Sequence, residues 1–245
     1  MDRSTCARTT QLIGSKFLDL IFPITCLGCG QEGSLACHHC LSLVPEPDSQ
    51  VCPSCKAPFS HNGAVCKECR GKTSLDGLFV ARPYRFRLVE ELIFALKYRF
   101  LERAVIPVVD LLEESLAHHS LPLPDLLIPV PLHPRRLRFR GFNQAELIAK
   151  ELGQRLAPGL GIALDTTSLQ RIRFTKPQMK TDTRDERLHN LTDAFVIQPE
   201  VAGPLVGKYV WLIDDVATTG TTLDECARVL KTAGVKKVWG VVIAR

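Results

Sequence analysis

Residues 210–223, VWLIDDVATTGTTL, set two carboxylates and four threonine hydroxyls at the end of a short apolar run. Val210-Trp211-Leu212-Ile213 has the composition of a buried strand, and a helix is expected from Thr222 onward. Between them lie Asp214, Asp215, Val216, Ala217, Thr218, Thr219, Gly220 and Thr221. Gly220 lets the backbone turn closely around an anion. Successive N–H groups, the threonine hydroxyls and the positive end of the helix can all donate toward one point. That chemistry suits a phosphate monoester. The two acids are poor phosphate neighbours but good acceptors for sugar hydroxyls, so the run describes a holder for a ribose 5-phosphate. The plainer alternative is an acidic strand end with a threonine-rich helix cap. Any single feature would leave that alternative ahead, but the full run is more specific. A Walker loop is excluded, because no Gly-Lys-Ser/Thr follows.

A second constellation occupies the N-terminal part. Eight of the ten cysteines form four Cys-x-x-Cys pairs: Cys26/Cys29, Cys37/Cys40, Cys52/Cys55 and Cys66/Cys69. A two-residue gap turns both thiolates of a pair toward one ion, at Zn–S distances of about 2.3 Å. Four pairs make two tetrahedral Cys₄ sets, hence up to two structural Zn²⁺ ions. Disulfides would suit a small secreted domain, a redox Cys-x-x-Cys needs no fourfold repeat, and knuckle residues such as Gly28 and Gly30 favour zinc over iron–sulfur ligation. The simplest pairing gives the first four cysteines one ion and the last four another, with an interleaved arrangement left open. His38 and His39 are substitute ligands, disfavoured beside so many thiolates. With few large apolar side chains the module needs metal to fold. Cys226 is expected as a small buried hydrophobe on the final helix.

The rest of the chain must position these groups. At 245 residues, with 45% hydrophobic and 23% charged residues and a net charge of +5, it has the balance of a globular protein. The charge is compatible with phosphates or nucleic acid and demands neither. No apolar run reaches the ~18 residues of a membrane span. Residues Thr9–Pro23 are expected to form an amphipathic helix, whose Ser15, Lys16 and Asp19 interrupt any signal-peptide core, so a cytoplasmic location is expected. From about Leu75 apolar strands alternate with helices. Strands are expected at Leu78–Tyr84, Leu126–Val130, Ala194–Ile197, Tyr209–Ile213 and Lys237–Ile243. Helices are expected at Leu88–Tyr98, Ala104–His118, Asn143–Leu156 and Thr222–Ala233. This succession implies an α/β fold with a parallel sheet covered on both faces, and ligands beyond the carboxyl ends of its strands. The loops after Val130 and Ile213 are the places to look.

The apolar–acidic–TTGT run resembles the signature of type I phosphoribosyltransferases. With the Cys pairs, PVPLHPRRLRFRGFNQAE at 129–146, RIRFTKPQ at 171–178 and ERLHNLTDAF at 186–195, in that order, the whole chain resembles the ComF family (competence protein F, ComFC-like). One departure is Phe100, where family members tend to have glycine; another is the polar stretch between Gln178 and Arg187, with Thr181 near a position that is commonly apolar. The resemblance implies a double zinc-ribbon head at 1–75 on a type I phosphoribosyltransferase fold at 76–245, linked in some bacteria to DNA uptake. It implies phosphoribosyl diphosphate and Mg²⁺ as ligands, and a mobile loop over the site at 171–187. Asp214 and Asp215 would hold the ribose hydroxyls, and residues 217–222 the 5-phosphate, with Val216 a further substrate-binding residue. Val130, Pro131, Leu132, Arg135, Arg136, Arg138, Arg140 and Lys97 would face the diphosphate, with Arg171, Lys176 and Arg187 on the closing loop. The acceptor has no signature. A non-catalytic ligand sensor, or a competence factor binding single-stranded DNA through RRLRFR, are the competing functions.

Overall fold

The computed structural model describes residues 23–58, 61–156, 161–174, 193–198 and 205–245. The helix expected at Thr9–Pro23 and most of the 171–187 loop, including Lys176 and Arg187, lie outside them.

Five parallel strands form the central sheet: β1 (Gly77–Arg82), β2 (Leu126–Pro129), β3 (Ala163–Leu164), β6 (Tyr209–Val216) and β7 (Lys237–Ala244). Their order across the sheet is β1-β7-β6-β2-β3. Successive side chains of β6 alternate between faces, as the strand pleat requires. Trp211 and Ile213 join one core with Leu92 and Leu96 of α2 (Arg87–Tyr98), Val108 and Leu112 of α3 (Val105–Ala117), and Ile148 and Leu152 of α5 (Gln144–Leu156). Val210 and Leu212 join the other with Leu223, Cys226 and Leu230 of α6 (Thr221–Thr232). The doubly covered parallel sheet is therefore the expected α/β architecture, and Cys226 is a core residue.

Several elements differ from expectation. The stretch at Ala194–Ile197 does not join the parallel sheet. As β5 (Phe195–Ile197) it pairs antiparallel with β4 (Leu169–Arg171) in a separate two-stranded ribbon on α6. Residues 134–140, expected as loop, form α4 (Pro134–Arg140). Strand β1 ends at Arg82, because the following Pro83 has no N–H to donate.

The two Cys₄ modules do not stand apart from this body. Cys26, Ala36, Cys40 and Val44, the middle two flanking or opening α1 (His38–Ser42), share the core that contains Phe79 and Ala81 of β1. The edge of β1 is closed by a side chain: the Gln50 amide donates to Val80 O at 2.8 Å and accepts from Val80 N at 3.1 Å. Buried Arg82 reaches Glu114 on α3 at 2.6 Å and Glu46 between the modules at 3.4 Å. The module thus borrows the core it lacks.

Candidate functional site

Both groups singled out in the sequence sit where the chain geometry can use them. In each Cys₄ set, Cys26/Cys29/Cys37/Cys40 and Cys52/Cys55/Cys66/Cys69, all sulfurs lie within 4.8 Å of one another. Cys29 and Cys37 Sγ are 3.7 Å apart, as are Cys55 and Cys66. Tetrahedral Zn–S bonds of about 2.3 Å place sulfurs about 3.8 Å apart, so both sets fit the ion. The pairing is sequential, not interleaved, and His38 and His39 belong to neither set. A Cβ on Gly28 would lie 2.8 Å from Cys40 Sγ, so only glycine fits that knuckle. At Cys26 burial opposes ionisation, but backbone N–H groups of Cys37, Cys29 and Gly28 outweigh it and bring the thiol down to about 6. Cys52 follows the same pattern, whereas Cys40, by burial and its neighbouring thiols, and Cys66, by Cys69 and burial, are pushed up. Thiolates held by backbone donors are the form that binds zinc.

The second site is a cavity of about 520 Å³ beyond the carboxyl ends of β2 and β6. Of the residues expected there, Lys97, Val130, Pro131, Leu132, Arg135, Arg171, Asp214, Asp215, Val216 and Thr222 line it. Thr219, Gly220 and Thr221 turn around the start of α6 beside it. Gly220 has φ +80, and the hydroxyls of Thr219 and Thr221 are 2.8 Å apart. Ala217 is buried, Thr218 is exposed, and Arg138 is exposed and does not line the cavity. Strand β6 runs past both acids to Val216, which pairs with Ala244, so strand pairing rather than a loop fixes the carboxylates.

The helix α4 buries none of its residues. Its ends hold it: Pro134 occupies the first turn, His133 Nδ1 accepts from Arg135 N at 3.1 Å, and Gly141 closes it with φ +81. Behind it, buried Asn143 donates to Val130 O at 3.0 Å and accepts from Ala145 N at 3.1 Å. Gln144 donates to Leu96 O at 3.3 Å and accepts from Arg140 at 3.0 Å. These two residues tie the loop after β2 to α2, α4 and α5. They line the cavity together with Arg136, Arg140, Tyr98, Phe139 and Phe174. Arg136 and Arg140 are the charge expected beside the loop, and Phe139 is the aromatic of the RRLRFR run; Tyr98, Phe174 and the two amide residues have no local sequence signal.

Charge is unevenly placed in the cavity. Lys97, Arg135, Arg136, Arg140 and Arg171 face Asp214 and Asp215, five cations against two acids. Burial and the Arg140 charge push Arg136 below the usual guanidinium range, and burial with Arg136 does the same to Arg171. Burial and then Arg135 push His133 down. Crowded cations of this kind favour an anion. On the acidic side, Lys97 Nζ lies 2.9 Å from Asp215 Oδ1, nearer the acids than the arginine row with which it was expected. Burial would lower Lys97, but Asp215 and Asp214 hold it high. Asp214 accepts from Asp215 N at 2.9 Å, and burial followed by the Asp215 charge lifts it to about 7.

The chain is similar to several known proteins. A family model described as a double zinc ribbon domain matches residues 17–72. DNA utilization protein YhgH of Salmonella typhi is 34% identical over 208 residues, 82% of this chain and 86% of its own. Competence protein F of Haemophilus influenzae is 38% identical over 128 residues, covering 51% of this chain and 53% of its own. This chain belongs to the ComF family. Within that family, competence protein ComFC of Bacillus subtilis is 28% identical over 81% of this chain and 78% of its own. Among solved structures, the glutamine phosphoribosylpyrophosphate amidotransferase of B. subtilis is similar over 76% of this chain and 33% of its own, at 17% identity and a TM-score of 0.34. A likeness of that extent carries no argument. For the ComF chain, no helix among the described residues is long and apolar enough to cross a membrane.

Proposed function

We propose that this protein binds phosphoribosyl diphosphate with Mg²⁺ and transfers its phosphoribosyl group to an acceptor. The observation that carries the reading is one cavity combining the Asp214–Asp215 pair, the start of α6 and a row of arginines. The 5-phosphate would sit on residues 217–222, with Val216 beside the ribose and its hydroxyls toward Asp214 and Asp215 once Lys97 yields its place. Arg135, Arg136, Arg140 and Arg171 would take the diphosphate. The acceptor attacks C1, a new bond to C1 forms, and the C1–O bond breaks with its electron pair going to diphosphate; the acceptor's proton leaves to solvent. Charge grows on the departing group, where guanidinium donors stabilise it most. Mg²⁺ would supply further neutralisation of that group, and the carboxylate pair is a donor set that suits it. In this reading 1–75 is a zinc-ribbon head and 76–245 the transferase domain, Lys176 and Arg187 belong to a closing loop, and the reducing cytoplasm keeps the thiolates available.

Calorimetry with phosphoribosyl diphosphate tests the reading. Asp215→Asn should abolish binding, and undiminished affinity would sink the assignment. Diphosphate release on adding candidate nucleobases separates a transferase from a sensor, which would bind without release.

A second activity, contact with single-stranded DNA, is supported by the outer wall of the cavity. Phe139 is 78% exposed. Its ring meets Phe100 edge-on at 6.0 Å, Arg140 lies over Tyr98 at 5.8 Å, and Arg135 over Phe174 at 5.5 Å. Exposed rings between guanidinium groups stack bases and hold phosphates together. The names of the relatives, DNA utilization and competence proteins, point the same way.

A further inference from the structure

Asp224 lies in the first turn of α6, and its backbone N–H bonds Gly220 O at 2.9 Å. Its Oδ1 accepts three hydrogen bonds from one segment: Thr73 Oγ1 at 2.5 Å, Ser74 N at 2.7 Å and Leu75 N at 3.3 Å. That segment begins four residues after Cys69, the last sulfur of the second Cys₄ set, and Lys72 N bonds back to Cys69 O at 3.0 Å. The knuckle residues Pro53 and Ser54 come up against Thr219, Gly220 and Thr221 from the same side, leaving a gap of only about 20 Å³. That is room for about one water. The outside of the phosphate loop therefore rests on the second zinc ribbon.

The electrostatics give this contact a direction. A carboxylate in a first helical turn suits the helix dipole but opposes an anion bound at the same end. Three donors from 73–75 draw the charge of Asp224 outward and hold the turn that presents the loop's N–H groups. We propose that Asp224 is a positioning residue, through which the second Cys₄ ribbon fixes residues 217–222 for the 5-phosphate. The inference rests on the reading of that loop given above, and concerns only the ribose 5-phosphate half of the cavity. The diphosphate half is built from α4, α5 and β4, which the ribbon contact does not involve.

Thr73→Val removes one donor and leaves Asp224 in place; Thr73→Ser keeps the hydroxyl. Titrating the full, zinc-loaded chain calorimetrically, ribose 5-phosphate should bind about ten-fold more weakly to Thr73→Val, the worth of one charge-assisted hydrogen bond. Inorganic diphosphate should bind within about two-fold of wild type, and Thr73→Ser should restore ribose 5-phosphate. Equal losses for both ligands, or none for ribose 5-phosphate, overturn the proposal. Asp224→Asn is a second variant that keeps the shape: a modest weakening is expected, and tighter binding would mean that the carboxylate acts only as a like charge, overturning the brace. Amide exchange over 217–222 should quicken in Thr73→Val without any ligand. Unchanged exchange overturns the brace by itself, whereas a wild-type chain that ignores ribose 5-phosphate overturns the ligand reading of the loop.

Discussion

Replacing Asp214 with asparagine should stabilise the protein at neutral and alkaline pH while removing the ribose contact proposed for it. Burial and the charge of Asp215 lift the Asp214 carboxyl from 3.8 to about 7, against the pull of Lys97 and Arg171. Between pH ~4 and ~7 the native chain thus binds a proton that the unfolded chain has lost, so stability falls as pH rises through that window. A rise from 3.8 to about 7 would amount to about 4 kcal/mol if fully expressed. Water at the cavity mouth and local relaxation reduce that to about 1–2 kcal/mol. Asparagine copies the neutral carboxyl, and its amide oxygen can still accept from Asp215 N. For a chain of this size the gain corresponds to about 2–8 °C in melting temperature. Melts of wild type and Asp214→Asn should nearly coincide at about pH 4.5 and separate at about pH 8, with the variant higher. A gap that does not change with pH, or a variant melting lower at pH ~8, would refute the reasoning. Gain of stability with loss of ligand is the usual mark of a strained functional group.

Lys97→Met leaves Asp215 without its partner at 2.9 Å, and should cost about 2–4 kcal/mol in urea unfolding at neutral pH; no cost would mean that the pair is solvated. Metal analysis should return two zinc ions per chain, and strong chelation should lower the melting temperature of the whole protein, because the ribbon and sheet share a core. One ion per chain would contradict the two sequential sets. Phe139→Ala should change stability by less than about 0.5 kcal/mol. It should weaken single-stranded DNA about ten-fold by fluorescence anisotropy if its ring stacks a base, and unchanged affinity would remove the second activity. Phe100 holds φ +54, a conformation that costs a side chain about 1–2 kcal/mol. Phe100→Gly should therefore raise the melting temperature, and a lower one would show that the ring's contact with Phe139 outweighs the strain.

The sheet was legible in the sequence because its strands and covering helices bury enough surface to impose a period. Leu88–Tyr98, Ala104–His118 and Tyr209–Ile213 all fall within a few residues of α2, α3 and β6. The elements that escaped are those without that signal. α4 buries nothing, so PRRLRFR carries no apolar period, and only Pro134 and Gly141 mark its ends. β3 is two exposed residues held by backbone pairing to Leu126 and Leu127. β4 and β5 find each other across 23 intervening residues, and nothing local names the partner.

The site divides in the same way. A run such as DDVATTGTT can be read locally because one strand end and one helix start supply every group in it. The Cys-x-x-Cys pairs announce metal for the same reason. Gln144 shows what such reading misses: its amide joins Leu96 O on one helix to Arg140 on another, and neither neighbour is implied by the residues around it. Asp224 is a stronger case. In sequence it is an ordinary first-turn acid, and its hydrogen-bond partners lie some 150 positions away at Thr73–Leu75. Local motifs therefore report which groups can bind a ligand, while long-range side-chain pairs decide how firmly those groups are held. In this protein the second kind of contact joins the zinc ribbon to the turn at Gly220, so a change near Cys69 and a change near Gly220 should be felt in the same measurement of ligand binding.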